Sequence, residues 1–433
     1  MSEPFGVALL GCGTVGGGVA QLLLEQSDRL AARAGRPLEL RHVVVRDPRK
    51  SRDVPVPRDR FSNLAAVLRD PTVHAVAELA GGTDWAKQAV LESLAAGKHV
   101  VTANKALLAQ YGQEIFEAAR KHGRAVAFEA SVAGGVPIIA ALTQSLAANR
   151  IEWLQGILNG TSNFILTEMS EDGRSYSAAL AEAQKLGYAE ADPTLDVDGT
   201  DAAHKLSILA QIAFGAALPV DRIERRGIAE THEMDVRFAR ELGYTVKLIA
   251  EAWLAEGQVA MHVSPVLLKH TDPLAQVRGP FNAIQVVGDA AGEILFQGRG
   301  AGRMPTASAV VADLIDLAAG RAQKTFQALK LWPAGVTGPE LRPAARVRTR
   351  FYLRLLVQDR PGVLADVTRA LANEEVSIAS VIQHEALEDH EGEVVPLVIM
   401  THTAWTGRFR AAVRAIDLLP SVAAPGVYYP VAE

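Results

Sequence analysis

The sequence predicts an α/β fold: a doubly wound parallel sheet, then an α+β unit, then a C-terminal βαββαβ unit. Three features predict it. Between Phe5 and about Ala148, short β-branched runs alternate with amphipathic helical stretches, the pattern of consecutive βαβ units. From Ile151 to about Gly302, strands and helices follow in mixed order. After a proline- and glycine-rich stretch, a new strand, turn and helix begin near Phe351.

In the first unit, residues 1–150, the strands are Val7–Leu10, His42–Val45, Ala75–Leu79, Val100–Thr102 and Ala125–Phe128. In the second, residues 151–302, Trp153–Leu158, Val246–Trp253, Val259–Val266 and Ile284–Val287 are expected as strands, with helices near Ala178–Leu186 and Ala202–Phe214. Pro305 suits a helix start, and Ala307–Ala318 is expected to pack back and complete the first unit over about 303–320. Residues 321–348, with Pro333, Gly335, Gly338, Pro339 and Pro343, have the composition of a linker. The third unit, 349–433, runs through strand Phe351–Val357, helix Val363–Ala372, strands Ser377–Gln383 and Val394–Thr401, helix Arg408–Leu418 and strand Gly426–Tyr429.

The 433 residues are 49% hydrophobic and 21% charged, an ordinary globular balance. Their 44 basic and 49 acidic side chains are interspersed and give a net charge of -5. No footprint for nucleic acid or an anionic membrane results, and the expected partner is a small molecule. Cys12 stands alone, so no intramolecular disulfide forms, and the N-terminus lacks the basic-then-apolar pattern of a signal peptide. Both features fit a cytoplasmic protein. The most apolar stretch, Ser207 to Val220, is shorter than the roughly 20 residues that span a bilayer. It is expected to be a buried helix.

Gly11-Cys12-Gly13-Thr14-Val15-Gly16 follows the first strand and opens a helix. In such a loop Gly11 permits the tight turn, Gly13 lets backbone approach a pyrophosphate and Gly16 allows close helix–strand packing. The helix N-terminus, with Thr14 and Val15, favours the phosphates. A Rossmann-like dinucleotide site follows, and Cys12 fills a small space within it. After the second strand, Arg46 precedes Asp47. Arg46, helped by Arg49 or Lys50, can pair with a 2′-phosphate, which favours NADP; if these are only solvated turn charges, NAD is left open. The fourth strand runs into Thr102-Ala103-Asn104-Lys105, at the carboxyl edge where ligands of open sheets bind. Lys105 is there either a ligand contact or a surface residue.

Farther on, Ala183 to Pro193 leads from a helix through Gly187 into an acidic loop holding Glu190, Asp192, Asp196 and Asp198. A new helix follows, with Asp201 and Lys205 four apart on one face. Alone, such a pair is usually a surface ion pair worth little. Here Leu206, Ile208, Leu209, Ile212 and Phe214 continue the helix as an apolar element, so the lysine is held beside a core. Carbonyl reduction needs a proton on oxygen as hydride reaches carbon, and lysine can donate it. The carboxylates can bind the ammonium of an amino-acid substrate. His204 points about 100° away from Lys205 and is taken as structural.

The run from Ala183 to Lys205 resembles the signature of homoserine dehydrogenases. Agreement extends over nearly the whole chain: the glycine loop, Thr102–Lys105, Glu129–Pro137, Asn159–Asn163, and Gly300–Gly302 with Pro305–Ala307. The resemblance implies interconversion of L-aspartate 4-semialdehyde and L-homoserine with NADP or NAD, in threonine, methionine and isoleucine biosynthesis. It makes Lys205 the proton donor in reduction and the base in oxidation, and Glu190 the binder of the substrate amino group. Lys105 falls at the nicotinamide–substrate junction; which lysine moves the proton stays open. Asp196 and Asp201 orient substrate or lysine, and Gly187 belongs to the same substrate loop. The resemblance also implies a sodium ion at Glu129, Val132, Gly134 and Val136, where residues alone indicate only a turn. The Gly300–Arg303 loop, with Gly302 as its cofactor-binding candidate, either touches the cofactor or turns the chain into the next helix.

Leu353 to Leu364, with Asp359-Arg360-Pro361-Gly362 as its turn, resembles the start of an ACT domain, a module that pairs with copies of itself and binds amino acids. The resemblance implies L-threonine as a feedback effector at Asp359–Gly362, acting through the linker around Pro333–Pro343. A module for packing alone is the other possibility. A homodimer through the middle unit, or a homotetramer if the C-terminal units also pair, is expected.

Overall fold

The computed structural model describes residues 3–216, 218–333, 338–383 and 394–432. Gly335 of the expected linker lies outside the described residues. The chain forms two compact units, one of Met1–Gly160, Asp201–Ile223 and Pro280–Glu340, the other of Thr161–Thr200, Glu224–Gly279 and Leu341–Glu433.

In the first unit six strands, β1 (Phe5–Leu10), β2 (Leu38–Val44), β3 (Phe61–Ser62), β4 (Val73–Glu78), β5 (His99–Thr102) and β6 (Val126–Ala127), form one sheet in the order β3-β2-β1-β4-β5-β6. Every pairing is parallel. β1 is buried at all six positions, as a strand covered on both faces must be. The chain reverses direction across the sheet between β1 and β4, so their carboxyl ends open a crevice for a ligand. The sequence yields five of these strands. β3 has only two residues, too few for any periodicity.

Four helices position the site: α1 (Thr14–Glu25), α2 (Lys105–Lys121), α3 (Thr200–Phe214) and α4 (Arg303–Ala318). α4 starts two residues before Pro305, with Gly302 at φ +117° before its first turn. It packs against α1 so closely that a Cβ on Gly18 would lie 2.9 Å from both Ala307 Cβ and Arg303 O. The expectation of one helix from Ser207 to Val220 is corrected. α3 ends at Phe214 because Gly215 turns left-handed at φ +69°, and Pro219 lies beyond it. Three antiparallel strands, Ile151–Ile157, Phe281–Gly288 and Gly292–Arg299, complete the unit. The last escapes sequence reading because it begins on a glycine and five of its eight residues are exposed.

In the second unit Tyr244–Ala255 and Gln258–Lys269 pair along their full length. Glu256 and Gly257 join them at φ +52° and +76°, the two positive values a tight hairpin turn requires. The C-terminal strands Arg348–Gln358, Ile378–Gln383, Val394–Thr401 and Val422–Val431 make the expected βαββαβ arrangement, with Arg348–Gln358 between Val422–Val431 and Val394–Thr401. Its core stacks Phe351 on Phe409 with ring centres 3.8 Å apart. Direct contacts tie this sheet to the rest of the second unit. Ala432 N–H donates to Leu267 O at 3.0 Å. Arg354 donates from Nε and Nη2 to the buried Asp235 carboxylate at 2.6 and 3.0 Å, and Tyr352 Oη donates to it at 3.0 Å. Among the described residues no helix is long and apolar enough to cross a membrane.

Candidate active site

The loop after β1 shows why each glycine stands where it does. Gly11 is at φ +100°, and a Cβ there would meet Leu79 O at 2.5 Å. A Cβ on Gly16 would meet Gly11 O at 2.3 Å. Both positions exclude any side chain. Gly13, by contrast, has nothing within 4 Å of its Cβ position. The open side of the loop thus faces solvent at the first turn of α1, where Gly13 and Thr14 are exposed and Val15 is half-buried. Free N–H groups of that turn and an uncrowded backbone suit a pyrophosphate.

Arg46 lies two residues beyond the end of β2 and is exposed. Two other arginines act at the loop, Arg52, which sequence reading did not single out, and Arg303, the last residue of the Gly300–Arg303 loop. Arg52 donates to Asp47 O at 2.8 Å and Lys50 O at 2.7 Å and lies over the Phe61 ring at 5.1 Å. Arg303 donates to Gln21 Oε1 at 3.2 Å. Burial raises the Cys12 thiol pKa, while Arg52 and Arg303 pull it the other way. Both cations therefore act at the glycine loop. They are separated from it by tens or hundreds of residues, so no local pattern marks them.

At the carboxyl edge of β4 and β5 a fully buried Glu78 organises two loops. Its Oε1 accepts from Ala80 N–H at 3.0 Å and Gly81 N–H at 3.3 Å, and its Oε2 accepts from Thr102 Oγ1 at 2.8 Å. Burial raises its pKa against these donors. Thr102 Oγ1 in turn accepts from Asn104 N–H at 3.0 Å. Asn104 caps α2, accepting from Leu107 N–H at 3.1 Å and donating to Gly82 O at 2.7 Å. Such a cap stabilises a helix by about 1 kcal/mol. Lys105 is the first residue of that helix.

Asp201, on the first turn of α3, brings the two candidate lysines together. Lys205 Nζ lies 2.8 Å from its Oδ2 and Lys105 Nζ 3.1 Å from its Oδ1. Asn159 Nδ2 donates to Oδ2 at 2.8 Å, and Lys205 Nζ also donates to Leu158 O at 2.6 Å. The Asp201 and Lys205 side chains are 9% and 11% exposed, against 38% for Lys105. Burial alone would push the Asp201 carboxyl up, but the ammoniums of Lys205 and Lys105 hold it well below the usual carboxylate range. One carboxylate between two cations leaves net positive charge, suited to polarise a substrate oxygen. Two of the three N–H groups of Lys205 are engaged, which leaves one for that oxygen.

Glu190, Asp196 and Gly187 belong to the second unit. Gly187 ends its helix at φ +75°. Glu190 is exposed, and its backbone O accepts from Gln184 Nε2 at 3.2 Å. Asp196 is half-buried, and its backbone O accepts from Ser162 Oγ at 2.8 Å.

Glu129 opens the turn that carries Val132, Gly134 and Val136. It is 7% exposed, and its oxygens accept from Ile139 N–H at 2.9 Å and Ala140 N–H at 2.7 Å. Burial pushes its pKa up to about 7 despite those donors. Ala133 adopts φ +48°. A Cβ on Gly134 would meet Gly300 O at 2.9 Å, so backbone packs tightly there. One buried carboxylate beside the carbonyls of a tight turn is an all-oxygen donor set, which fits a hard cation. Among the described residues no group of three or more His, Cys, Asp or Glu side chains could hold a metal.

In the C-terminal unit Gly362 stands at φ +95° before helix Val363–Asn373. Asp359 Oδ1 accepts from Gln383 Nε2 at 3.3 Å.

Comparison with known proteins points to one family. The family descriptions "Homoserine dehydrogenase, NAD binding domain", "Homoserine dehydrogenase" and "ACT domain" match residues 11–129, 137–315 and 351–415. The homoserine dehydrogenase of Pseudomonas aeruginosa is 43% identical over 431 residues, covering 98% of each chain. That of Bacillus subtilis is 38% identical, covering 92% of this chain and 91% of its own. The crystal structure of a homoserine dehydrogenase from Thiobacillus denitrificans superposes with a TM-score of 0.93 at 44% identity, covering 100% of this chain and 99% of that one. A hyperthermophilic archaeal homoserine dehydrogenase, solved in complex with NADPH, gives 0.61 at 28% identity over 72% of this chain and 97% of its own. The chain therefore belongs to the homoserine dehydrogenase family, as a nicotinamide-dependent oxidoreductase carrying a C-terminal ACT domain.

Proposed function

We propose that this homoserine dehydrogenase moves its proton through Lys205, with Asp201 holding that lysine and Lys105 at the two ends of one carboxylate. The bridging of both ammoniums by Asp201 is the observation that carries the reading. The bound nicotinamide supplies hydride to the aldehyde carbon of L-aspartate 4-semialdehyde, or takes it from L-homoserine. In reduction the Lys205 ammonium donates its free N–H proton to the developing alkoxide; in oxidation the neutral amine removes the hydroxyl proton. Lys105, more exposed, steadies the oxygen at the nicotinamide junction. Glu190 pairs with the substrate ammonium, with Asp196 and Gly187 shaping that loop. Asp201 keeps the lysine side chains ordered, which lowers the entropic cost of alignment.

Gly11, Gly13, Thr14, Val15 and Gly16 would hold the dinucleotide pyrophosphate, and Gly302, before the first turn of the neighbouring helix, would contribute to the same site. NADP is the favoured form, with Arg46 on the 2′-phosphate and Arg52 adding positive charge near the loop. A sodium ion is assigned to Glu129 and the carbonyls of Val132, Gly134 and Val136, where it would fix the turn. L-Threonine is the proposed effector, with its carboxylate at the Asp359–Gly362 turn. The enzyme works in the cytoplasm as a homodimer or homotetramer.

The test is absorbance at the nicotinamide band with L-homoserine and either oxidised cofactor, with and without L-threonine. Reduction of NADP, slowed by threonine, is expected. NAD-only reduction would overturn the cofactor assignment, and threonine-independent rates would overturn the effector assignment.

A further inference from the structure

We propose that Glu78 is a positioning residue for hydride and proton transfer, setting Lys105 in register with the cofactor loop. The proposal rests on the placement of Lys105 at the nicotinamide junction. Glu78 is a carboxylate with no exposed surface, on a residue that neither binds the dinucleotide through the glycine loop nor meets Asp201. A buried carboxylate is costly unless its bonds are specific, and here every bond goes to a loop that borders the site.

One oxygen gathers the N–H groups of Ala80 and Gly81. The Leu79–Ala80 peptide of that loop lies against Gly11: a Cβ on Gly11 would come within 2.5 Å of Leu79 O and 2.8 Å of Ala80 N. Leu79 N–H also donates to Leu10 O at 2.8 Å. The first loop is therefore locked to the cofactor turn. The other oxygen takes the Thr102 hydroxyl, which takes the Asn104 N–H, and Asn104 caps the helix whose first residue is Lys105. Asn104 also bonds back to Gly82 O in the first loop. Through Glu78, the backbone under the pyrophosphate and the backbone carrying Lys105 share one rigid joint.

The joint has a polarity that glutamine cannot reproduce. In Glu78→Gln the amide oxygen can still take the two loop N–H groups. Its NH2 group then faces Thr102 Oγ1, which already accepts from Asn104, so the hydroxyl proton loses its acceptor. The shape is conserved and the bond direction is not.

The experiment compares Glu78→Gln, Thr102→Val, their double variant and Lys105→Ala in the full-length enzyme. Steady-state rates are taken with L-homoserine and with 2H at its reacting carbon, dinucleotide affinity is titrated separately, and urea unfolding monitors the fold. Misplacing a reacting group by about 1 Å can cost roughly 100-fold, and we expect Glu78→Gln and Thr102→Val each to lower kcat by roughly 10- to 100-fold. The deuterium isotope effect on kcat should rise, because hydride transfer becomes slower than product release. The double variant should lose no more than the worse single one, since both break the same bond. Thr102→Ser should recover at least about tenfold of the activity that Thr102→Val loses, a factor equal to 1.4 kcal/mol. Wild-type kcat in Glu78→Gln, or losses that multiply in the double variant, would overturn the proposal. If Glu78→Gln does not fold, Thr102→Val and its serine rescue decide the matter. If Lys105→Ala keeps wild-type kcat, the placement of Lys105 itself fails; if Lys105→Ala is impaired and Glu78→Gln is not, only the positioning role fails.

Discussion

Lys205 Nζ lies 2.8 Å from Asp201 Oδ2, one helical turn along the same helix, and both side chains are nearly buried. A pair at this spacing on a surface is worth a few tenths of a kcal/mol. Here Lys105 and Asn159 reach the same carboxylate from other elements. Ammonium and carboxylate are fixed before substrate arrives, and that is the setting in which a lysine exchanges a proton at a defined point.

The glycine loop separates folding from binding at two neighbouring positions. Gly13→Ala adds a methyl group where nothing lies within 4 Å, so its urea midpoint should match wild type while the dinucleotide Kd rises by about tenfold or more, 1.4 kcal/mol. Gly16→Ala forces a Cβ to 2.3 Å from Gly11 O and should cost roughly 1–3 kcal/mol of stability. Unchanged affinity in Gly13→Ala would place the pyrophosphate elsewhere.

Cofactor choice is assigned to Arg46. Arg46→Ala should lower the NADP-to-NAD ratio of kcat/KM by about 10- to 100-fold, since a charge-assisted bond contributes roughly 1.5–3 kcal/mol. An unchanged ratio, with Arg52→Ala instead lowering it, would move the phosphate contact to the arginine that already packs on Phe61.

The C-terminal domain is anchored by Asp235 and Arg354. Arg354→Met leaves that carboxylate buried without its cation and should cost about 3–5 kcal/mol in urea unfolding. Tyr352→Phe, which removes one donor to that carboxylate, should cost about 1.5–3 kcal/mol. Asp235→Leu added to Arg354→Met should recover much of the loss. For the same reason deletion from Arg346 onward should lower stability, because it strips Asp235 of its partners.

Acid should weaken the fold through His99. Its Nδ1 accepts from Ala125 N–H, and burial lowers its pKa to about 4 from an ordinary 6.5. The unfolded chain binds the proton first, so stability present above about 6.5 is lost as pH falls toward 4, by roughly 3 kcal/mol in full. Urea midpoints measured from pH 7.5 to 4 should fall in wild type relative to His99→Gln, a difference that removes the opposite contribution of Glu129, whose raised pKa stabilises the fold as pH falls. A difference between wild type and His99→Gln that stays constant across that window would contradict a neutral buried imidazole.

Local chemistry made much of the architecture readable in advance. Glycine spacing, β-branched alternation and the turn at Asp359–Gly362 each act within a few residues, and the strands and helices they imply are present. Reading failed where structure is set at a distance. β3 exists only because two residues meet the edge of β2, and α3 stops at Gly215 although apolar residues continue past it. At the site, the acidic loop and the Asp201–Lys205 spacing stood out. Glu78 and Arg52 did not, since a single Glu or Arg in sequence gives no sign of burial or of the loop it will meet. Asp201 joins Lys105 to Lys205 across 100 residues of chain, a relation that spacing cannot express.

Hydride transfer in Lys205→Ala, followed by stopped-flow absorbance with L-homoserine and NADP in excess, tests the central claim most directly. The rate should fall by roughly 100- to 10,000-fold at neutral pH, with substrate and dinucleotide affinities kept within a few-fold, and added primary amines should restore part of it in proportion to their basicity. Near-normal transfer in Lys205→Ala, with the loss appearing in Lys105→Ala instead, would contradict it and give the proton to Lys105.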